Sequence, residues 1–186
     1  MNRTPIRHVI LDRDGVLNHE APDGGYVREA SEFRWLPRAL EGLAVLRRAG
    51  LYISVVTNQS GVGRGLMSLE QLSAVHERMQ TEAAAHGGAL DAVLFCPHAP
   101  EEGCACRKPA PGLIQAAIVR SRISAAGTLV VGDDTRDLEA ARQAGVAAAL
   151  VRTGKGRQTE TLSCNAGVPA YDDLAQLAQA IIDQRV

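Results

Sequence analysis

Aromatic residues, an excess of charge of one sign and long hydrophobic runs are all scarce in this sequence of 186 residues. Aromatic residues make up 3%, so the core must consist mainly of aliphatic side chains, and stacking platforms for nucleobases are not expected. The 20 Lys and Arg residues against 21 Asp and Glu residues give a net charge of -1. This balance provides no general attraction for nucleic acid or for an acidic membrane surface, and we expect neither as a partner.

The hydrophobic stretches are short throughout the chain. The longest, at 51–56 and 146–151, have the length of a strand and fall far below the ~20 residues that a membrane span needs. The apolar run near the N-terminus is also too short for a secretory signal. These features predict a cytoplasmic protein, in a reducing compartment where free thiolates persist.

Short apolar runs alternate with longer helical patterns. Five runs are apolar or β-branched throughout, which is typical of buried parallel strands: 8–11, 51–56, 92–95, 128–131 and 147–151. Helical patterns cover 37–49, 68–86, 111–122, 135–144 and 172–183. The alternation predicts a three-layer, Rossmann-like α/β fold whose doubly wound, mostly parallel sheet has about five strands. We expect one domain over residues 1–186, without a cap domain, and a monomer.

Polar side chains follow four of these predicted strands directly. Ligands in open parallel sheets bind outside the carboxyl ends of the strands, so residues at those ends are expected to assemble into one site. The four segments are Asp12-Arg13-Asp14, Thr57-Asn58-Gln59-Ser60, Cys96-Pro97-His98 and Asp133-Asp134.

Four motifs resemble, in order and spacing, those of the haloacid dehalogenase superfamily of phosphohydrolases. They are Asp12-Arg13-Asp14-Gly15-Val16, Val56-Thr57-Asn58-Gln59, Arg107-Lys108-Pro109 and Val131-Gly132-Asp133-Asp134, with Asp137 beyond. The resemblance implies a covalent phosphatase mechanism. Asp12 would attack phosphorus, and Asp14 would protonate the leaving alcohol and then deprotonate the hydrolytic water.

The resemblance also implies how the charges are balanced. A carboxylate that attacks a phosphate needs cations to offset the repulsion, and Mg²⁺ suits the hard oxygen ligands Asp12, the Asp14 main-chain carbonyl and Asp133. Lys108 would supply a cation near the phosphoryl oxygens, and the Thr57 hydroxyl and Asn58 would donate hydrogen bonds to that group. The role of Asp134 stays open between metal ligand, substrate contact and supporting group. The full set of expected substrate contacts is Arg13, Asp23, Gly25, Tyr26, Thr57, Asn58, Gln59, Ser60, Arg107, Lys108 and Asp134.

A compact group of cysteine and histidine residues predicts a second metal site. Cys96 and His98 are followed, after five intervening residues, by Cys104 and Cys106. Three thiolates and one imidazole match a closed tetrahedral zinc site, and with no ligand position left for water the zinc would be structural. A disulfide and plain buried cysteines are the alternatives. Because Arg107 and Lys108 follow this zinc loop at once, the zinc would hold the phosphate-binding cations in place.

Two small, capless groups of the superfamily combine these motifs with a zinc loop. The segment from 58 to 65, the Gly-Lys-Gly-Arg sequence at 154–157 and the Gly25-Tyr26-Val27 stretch resemble phosphatases that remove the C7 phosphate of heptose 1,7-bisphosphate, in the synthesis of ADP-heptose for lipopolysaccharide. The short zinc loop also resembles histidinol-phosphate phosphatases. A second, non-reacting phosphate would need a further cation, for which Arg107 is the natural bidentate candidate. Arg64 and Lys155 are further candidates.

The alternative of a different class is a zinc-stabilised binding domain without turnover. Loss of Asp12 or Asp14 would mark such a domain, and both residues are present. The sequence therefore favours a phosphatase that acts on a small phosphorylated sugar.

Overall fold

Strands and helices alternate along the chain as the hydrophobic pattern predicts. A computed structural model describes residues 4–21 and 25–184. The strands are β1 (His8–Leu11), β2 (Tyr52–Asn58), β3 (Ala92–Cys96), β4 (Thr128–Gly132), β5 (Ala147–Val151) and β6 (Ala170–Tyr171). The helices are α1 (Ala39–Arg48), α2 (Leu69–Ala85), α3 (Gly112–Ser121), α4 (Thr135–Ala144), α5 (Gly156–Glu160) and α6 (Leu174–Ile182).

All neighbouring strands pair in parallel, in the order β3-β2-β1-β4-β5-β6. Chain connections run outward from β1 in one direction and outward from β4 in the other. The crevice between the carboxyl ends of β1 and β4 is therefore the topological switch point, where such sheets bind ligands. The α/β class, the doubly wound sheet and the absence of a cap domain among the described residues agree with the sequence-based expectation.

The sheet has six strands rather than about five. β6 contains two residues, which pair with Leu150 and Val151 of β5. So short a strand has no hydrophobic pattern to reveal it. The segment between β5 and β6, for which the sequence predicts neither a strand nor a helix, contains the short helix α5.

Two hydrophobic clusters cover the two faces of the sheet. Val9 and Leu11 of β1 pack into the larger cluster with α1, α2 and α6, whereas Ile10 packs into the other cluster with α3 and α4. Because side chains of a strand alternate between its faces, a wholly buried β1 must be covered by helices on both sides. Burial on both faces fixes the end of β1, and with it the position of Asp12.

Helix caps agree with the signals in the sequence. The Ser68 side chain accepts a hydrogen bond from the Gln71 main chain at 3.2 Å at the start of α2, and the Gln71 side chain accepts one from the Ser68 main chain. Asp134 and Asp137 form the equivalent box at the start of α4. No helix in the described part of the chain is long and apolar enough to cross a membrane.

Candidate active site and zinc cluster

Asp12 lies immediately after β1, in an open cavity of about 270 Å³ at the carboxyl edge of the sheet. Its Oδ1 atom accepts a hydrogen bond from the Arg13 main chain at 2.6 Å and lies 2.9 Å from Nζ of Lys108. Burial and then the charge of Asp137 raise the pKa of Asp12 well above its usual range, although Lys108 opposes them. The ionised form of Asp12, which the predicted attack on phosphorus needs, therefore depends on nearby positive charge.

Lys108 lies beneath Asp12 with 3% of its side chain exposed. Its ammonium contacts Oδ1 of Asp137 at 2.6 Å and donates to the Val56 carbonyl at 3.0 Å. Burial opposes the charge on Lys108, but the carboxylates of Asp12 and Asp137 outweigh burial and raise its pKa. Lys108 is thus a fixed cation beside the Asp12 carboxylate.

Asn58, at the end of β2, holds the main chain of Lys108. Its Oδ1 accepts from the Lys108 N–H at 3.1 Å, and its Nδ2 donates to the Lys108 carbonyl at 3.0 Å. Asn58 also lines the cavity, but both ends of its amide are used in positioning Lys108. Its predicted hydrogen bond to the phosphoryl group stays a prediction.

Three carboxylates gather where a metal ion is expected. Oxygen atoms of Asp12, Asp133 and Asp137 all lie within 4.8 Å of one another. Burial and the charge of Asp137 raise the pKa of Asp133 to about 7. Lys108 compensates only one of the three carboxylate charges. Carboxylate oxygens are hard donors, which are the ligands that Mg²⁺ prefers. The residues therefore fit a divalent cation.

The sequence analysis named Asp133 for this cluster but did not assign Asp137. The capping box explains its presence, because Asp137 Oδ2 accepts a hydrogen bond from the Asp134 main chain at 3.2 Å. This bond turns the side chain toward the end of β4, while Oδ1 reaches Lys108. The spacing of three residues between Asp134 and Asp137 was the available signal.

Two glycines allow the catalytic loops to approach one another. A Cβ atom on Gly15 or on Gly154 would lie 2.1 Å from Oδ2 of Asp133, and both glycines have positive φ angles of 88° and 53°. The same Asp133 oxygen accepts a hydrogen bond from the Lys155 main chain at 2.8 Å. Side chains at these two positions would push apart the loops that follow β1, β4 and β5.

Asp14 is held by donors on both of its carboxylate oxygens. Oδ1 accepts from Nη2 of Arg13 and from Nδ2 of Asn18, each at 2.9 Å. Oδ2 accepts from Nε2 of Gln59 at 2.8 Å. Burial alone would raise the pKa of Asp14, but Arg13 and the hydrogen bonds outweigh it and hold the pKa below its usual range. Without substrate, Asp14 is therefore ionised at neutral pH.

The positions of Arg13 and Gln59 correct the prediction that they contact the substrate. Their exposed fractions are 0% and 1%, and neither lines the cavity. Both side chains lie behind Asp14 and donate to its carboxylate. The sequence alone could not show on which side of Asp14 these residues lie, because Arg13 is adjacent to Asp14 and Gln59 follows a different strand, β2.

Besides Asn58, the other predicted substrate contacts in the described part of the chain lie around the cavity. Gly25, Tyr26, Thr57, Ser60, Arg107, Lys108 and Asp134 line it. The Tyr26 hydroxyl is 2.9 Å from Oγ of Ser60, which fixes the ring at the mouth. Thr57 Oγ1 accepts from Gln59 at 2.8 Å, so its own proton remains to be donated. Asp23 lies outside the described residues.

Cations surround the rim of the cavity. Arg136 pairs with Asp134 at 2.8 Å, and Lys155 pairs with Glu20 at 2.6 Å. Arg107 has no carboxylate partner in the part of the chain that the structure describes, and its Nη1 lies 3.5 Å from the His98 carbonyl. Arg107 is thus the rim cation most available to an anion. The sequence analysis did not identify Arg136.

The predicted zinc ligands form one cluster beside this rim. Cys96 Sγ lies 3.5 Å from both His98 Nδ1 and Cys104 Sγ, and 3.2 Å from Cys106 Sγ. Cys106 Sγ is in turn 3.3 Å from His98 Nδ1 and 3.4 Å from Cys104 Sγ. These separations are far longer than the ~2.05 Å of a disulfide. All four cysteines are free thiols, and Cys164 lies exposed on the surface.

The donor set and its spacing fit zinc. Bond lengths of ~2.3 Å to sulfur and ~2.0 Å to nitrogen place tetrahedral ligands about 3.5 to 3.8 Å apart, within about 0.6 Å of the observed separations. Without a metal, burial raises the pKa of Cys96 to about 12, so the thiolate requires a cation beside it. The cluster could therefore hold a structural zinc ion.

The carboxylate at the end of β1, the buried lysine and the acidic cluster after β4 define the site of a haloacid dehalogenase-like phosphohydrolase. The HAD-hydrolase-like family model matches residues 105–177. The D-glycero-beta-D-manno-heptose-1,7-bisphosphate 7-phosphatase of Bordetella bronchiseptica is 41% identical over 96% of this chain and 99% of its own. The chain belongs to the family of D-glycero-D-manno-heptose 1,7-bisphosphate 7-phosphatases.

Further relatives and a solved structure agree with this assignment. The alpha-anomer phosphatase of Mycobacterium tuberculosis is 43% identical over 75% of this chain and 74% of its own. The crystal structure of the D,D-heptose 1,7-bisphosphate phosphatase of B. bronchiseptica, complexed with magnesium and phosphate, has a TM-score of 0.90 and 40% identity. It covers 96% of this chain, and this chain covers 99% of it. The fold is therefore shared along nearly the whole length of both chains.

Proposed function

We propose that this protein is a Mg²⁺-dependent phosphatase that removes the C7 phosphate of D-glycero-D-manno-heptose 1,7-bisphosphate. The observation that carries the proposal is the arrangement of Asp12, Asp14 and Lys108 around one cavity, in a chain 41% identical to such a phosphatase over 96% of its length. The product would serve the synthesis of ADP-heptose for lipopolysaccharide. The structural zinc of this enzyme would be held by Cys96, His98, Cys104 and Cys106.

Asp12 is the nucleophile of the proposed reaction. Its carboxylate attacks phosphorus, the bond from phosphorus to the C7 oxygen breaks, and an aspartyl phosphate forms on Asp12. Lys108 supplies a fixed positive charge 2.9 Å from the attacking carboxylate. A Mg²⁺ ion bound by Asp12, Asp133 and the Asp14 carbonyl, with Asp137 beside them, would neutralise charge on the nucleophile and phosphoryl oxygens.

Asp14 moves the proton in both half-reactions. It protonates the departing C7 oxygen in the first, and takes a proton from the attacking water in the second. The approach of a phosphate dianion favours protonation of Asp14, because a nearby negative charge raises the pKa of a carboxylate. Asp14 therefore changes from an ionised group in the free site to an acid in the substrate complex.

The most direct test compares kcat/KM for heptose 1,7-bisphosphate, in both anomers, with kcat/KM for histidinol phosphate. We expect a preference for the heptose of about 10²-fold or more, because a site built for a second charged group discriminates strongly against a ligand without it. We expect the β-anomer to be preferred, since the relatives that match 94–96% of the chain are named for that anomer. A higher kcat/KM for histidinol phosphate would refute the proposed substrate.

Arg107 is proposed to bind the second, non-reacting phosphate. Replacing Arg107 with Ala should lower kcat/KM for the bisphosphate by about 10-fold or more, on the scale of one charge-assisted hydrogen bond, and mainly through KM. The variant should lower kcat/KM for a heptose 7-monophosphate much less. Arg64, an exposed residue outside the cavity, provides the matched Arg→Ala control. Equal losses on both substrates would remove Arg107 from recognition of the second phosphate.

We also propose the domain organisation, the oligomeric state and the location of the protein. Residues 1–186 would form one domain, which agrees with the single sheet, and the enzyme would be a monomer. A cytoplasmic location is proposed because thiolate ligands for zinc persist in a reducing compartment.

A further inference from the structure

Arg13 is a fully buried arginine behind the cavity. Its side chain is 0% exposed, and the reaction proposed above gives it no contact with the substrate. Its Nη2 and Nε atoms both donate to Oδ1 of Asp14, at 2.9 and 3.3 Å. A guanidinium makes directional hydrogen bonds from a rigid plane, so its orientation determines the orientation of the carboxylate that it binds.

His76 holds the other end of the guanidinium. It lies on α2, is 6% exposed, and its Nε2 atom is 3.3 Å from Nη1 of Arg13. Its ring packs at a tilt against Phe95, with the ring centroids 5.8 Å apart. Burial and the charge of Arg13 lower the pKa of His76 to about 4, so the ring is neutral and its Nε2 accepts the hydrogen bond from Arg13.

His76, Arg13 and Asp14 contact one another in series from α2 to the cavity. Asp14 lines the cavity, whereas Arg13 and His76 do not. Asn18 and Gln59 bind the same carboxylate from other directions, but each uses an amide that can rotate. Arg13 makes two hydrogen bonds to one oxygen and is itself clamped by His76. Among the residues that donate to the Asp14 carboxylate, Arg13 therefore has the most firmly fixed orientation.

We propose that His76 and Arg13 are positioning residues that orient the Asp14 carboxylate for proton transfer to the leaving oxygen. The proposal rests on the acid-base role of Asp14 in the proposed function, but not on the identity of the sugar. His76 fixes the guanidinium, and the guanidinium fixes Asp14. Neither residue touches the substrate, so loss of either acts on the proton-transfer step and not on binding.

The dependence on the leaving group distinguishes this role from a general effect on folding. Departure of an alkoxide needs a proton from Asp14, whereas departure of nitrophenolate needs none. The constant kcat/KM reports the first phosphoryl transfer, the step in which alkyl and aryl phosphates differ in their leaving group. It should be measured for p-nitrophenyl phosphate, for heptose 1,7-bisphosphate, and for glucose 6-phosphate as an alkyl phosphate that does not depend on heptose recognition.

His76→Leu should lower kcat/KM for both alkyl phosphates by about 10-fold or more, the scale seen when a supporting residue is removed from a catalytic group. The value for p-nitrophenyl phosphate should fall less than about threefold. His76→Gln, whose amide oxygen can accept from Arg13, should restore most of the alkyl activity. If His76→Leu does not fold, His76→Asn is the second variant, because its shorter side chain takes the acceptor away from Arg13.

His8 offers a matched control. It is also fully buried, hydrogen bonds to Ser54 at 2.9 Å, and lies at the opposite end of the sheet from the cavity. His8→Leu should leave the ratio of alkyl to aryl kcat/KM unchanged. An equal loss on aryl and alkyl phosphates in the His76 variants, or no loss on either, would overturn the proposal. If the wild type hydrolyses glucose 6-phosphate but not the heptose bisphosphate, the proposed substrate is wrong. The ratio of kcat/KM for glucose 6-phosphate to kcat/KM for p-nitrophenyl phosphate still tests the role of His76.

Discussion

Asp12→Asn should abolish turnover, with kcat/KM falling by more than about 10³-fold, or about 4 kcal/mol of transition-state stabilisation. The amide cannot form the aspartyl phosphate, and its neutral nitrogen or oxygen is a poor nucleophile. The measurement is phosphate release from the bisphosphate with Mg²⁺ present. Near-normal release by this variant would show that the covalent mechanism is wrong.

The same variant should be more stable than the wild type when Mg²⁺ is absent. Burial and Asp137 raise the pKa of Asp12, which means that the ionised group costs folding free energy at neutral pH. An uncharged Asn removes this cost, so the Tm should rise by a few degrees. A loss of activity together with a raised Tm cannot come from misfolding.

Asp172→Asn is the matched control for Asp12→Asn. Asp172 pairs with Arg152 on the surface, with 59% of its side chain exposed. Exposed ion pairs contribute little, so this variant should keep full activity and a Tm within about 2 °C of the wild type.

Cys106→Ser should cause the largest loss of stability. We expect the Tm to fall by about 10 °C, because loss of the zinc site should cost about 3 kcal/mol, and a chain of this size loses 2–4 °C per kcal/mol. Activity should also fall, because Cys106 directly precedes Arg107 and Lys108, and a loop held by zinc would keep both in place. Metal analysis should find about one zinc per wild-type chain, and less in the variant.

Cys164→Ser provides the control for Cys106→Ser. Cys164 is exposed and lies outside the cluster, so its replacement should leave zinc content, Tm and activity unchanged. Purified wild type with a disulfide among Cys96, Cys104 and Cys106, in place of zinc, would contradict the assignment of the metal site.

Much of the fold follows from local pattern. β1, β5 and α4 have the predicted bounds, and Ser68 caps α2 as its spacing indicates. Their signals lie within a few residues: an apolar run, a cap or a glycine after the last turn. β6 gave no such signal, because two residues are too few for a pattern and its position depends on pairing with β5.

The active site, too, could be predicted from the sequence only in part. The motifs around Asp12, Lys108 and Asp133 could be read in order along the chain, and the structure brings these residues to one cavity. The buried contacts behind these residues could not be predicted from the sequence. Arg13 and Asp14 are adjacent in sequence, yet only Asp14 lines the cavity. Gln59 and His76 reach them from other elements.

Short motifs along the chain identify which groups are present: paired carboxylates, a cation and four soft metal ligands, at spacings that only a few kinds of site use. Which of these groups contact one another depends on the folded chain. The tertiary structure added Asp137 to the carboxylate cluster, turned Asn58 toward the Lys108 main chain and placed His76 behind Arg13. The physical reason is the distance along the chain between the residues that interact. Strand ends and caps are set by neighbouring residues, whereas the orientation of a buried polar side chain depends on partners that are distant in sequence and meet only on folding.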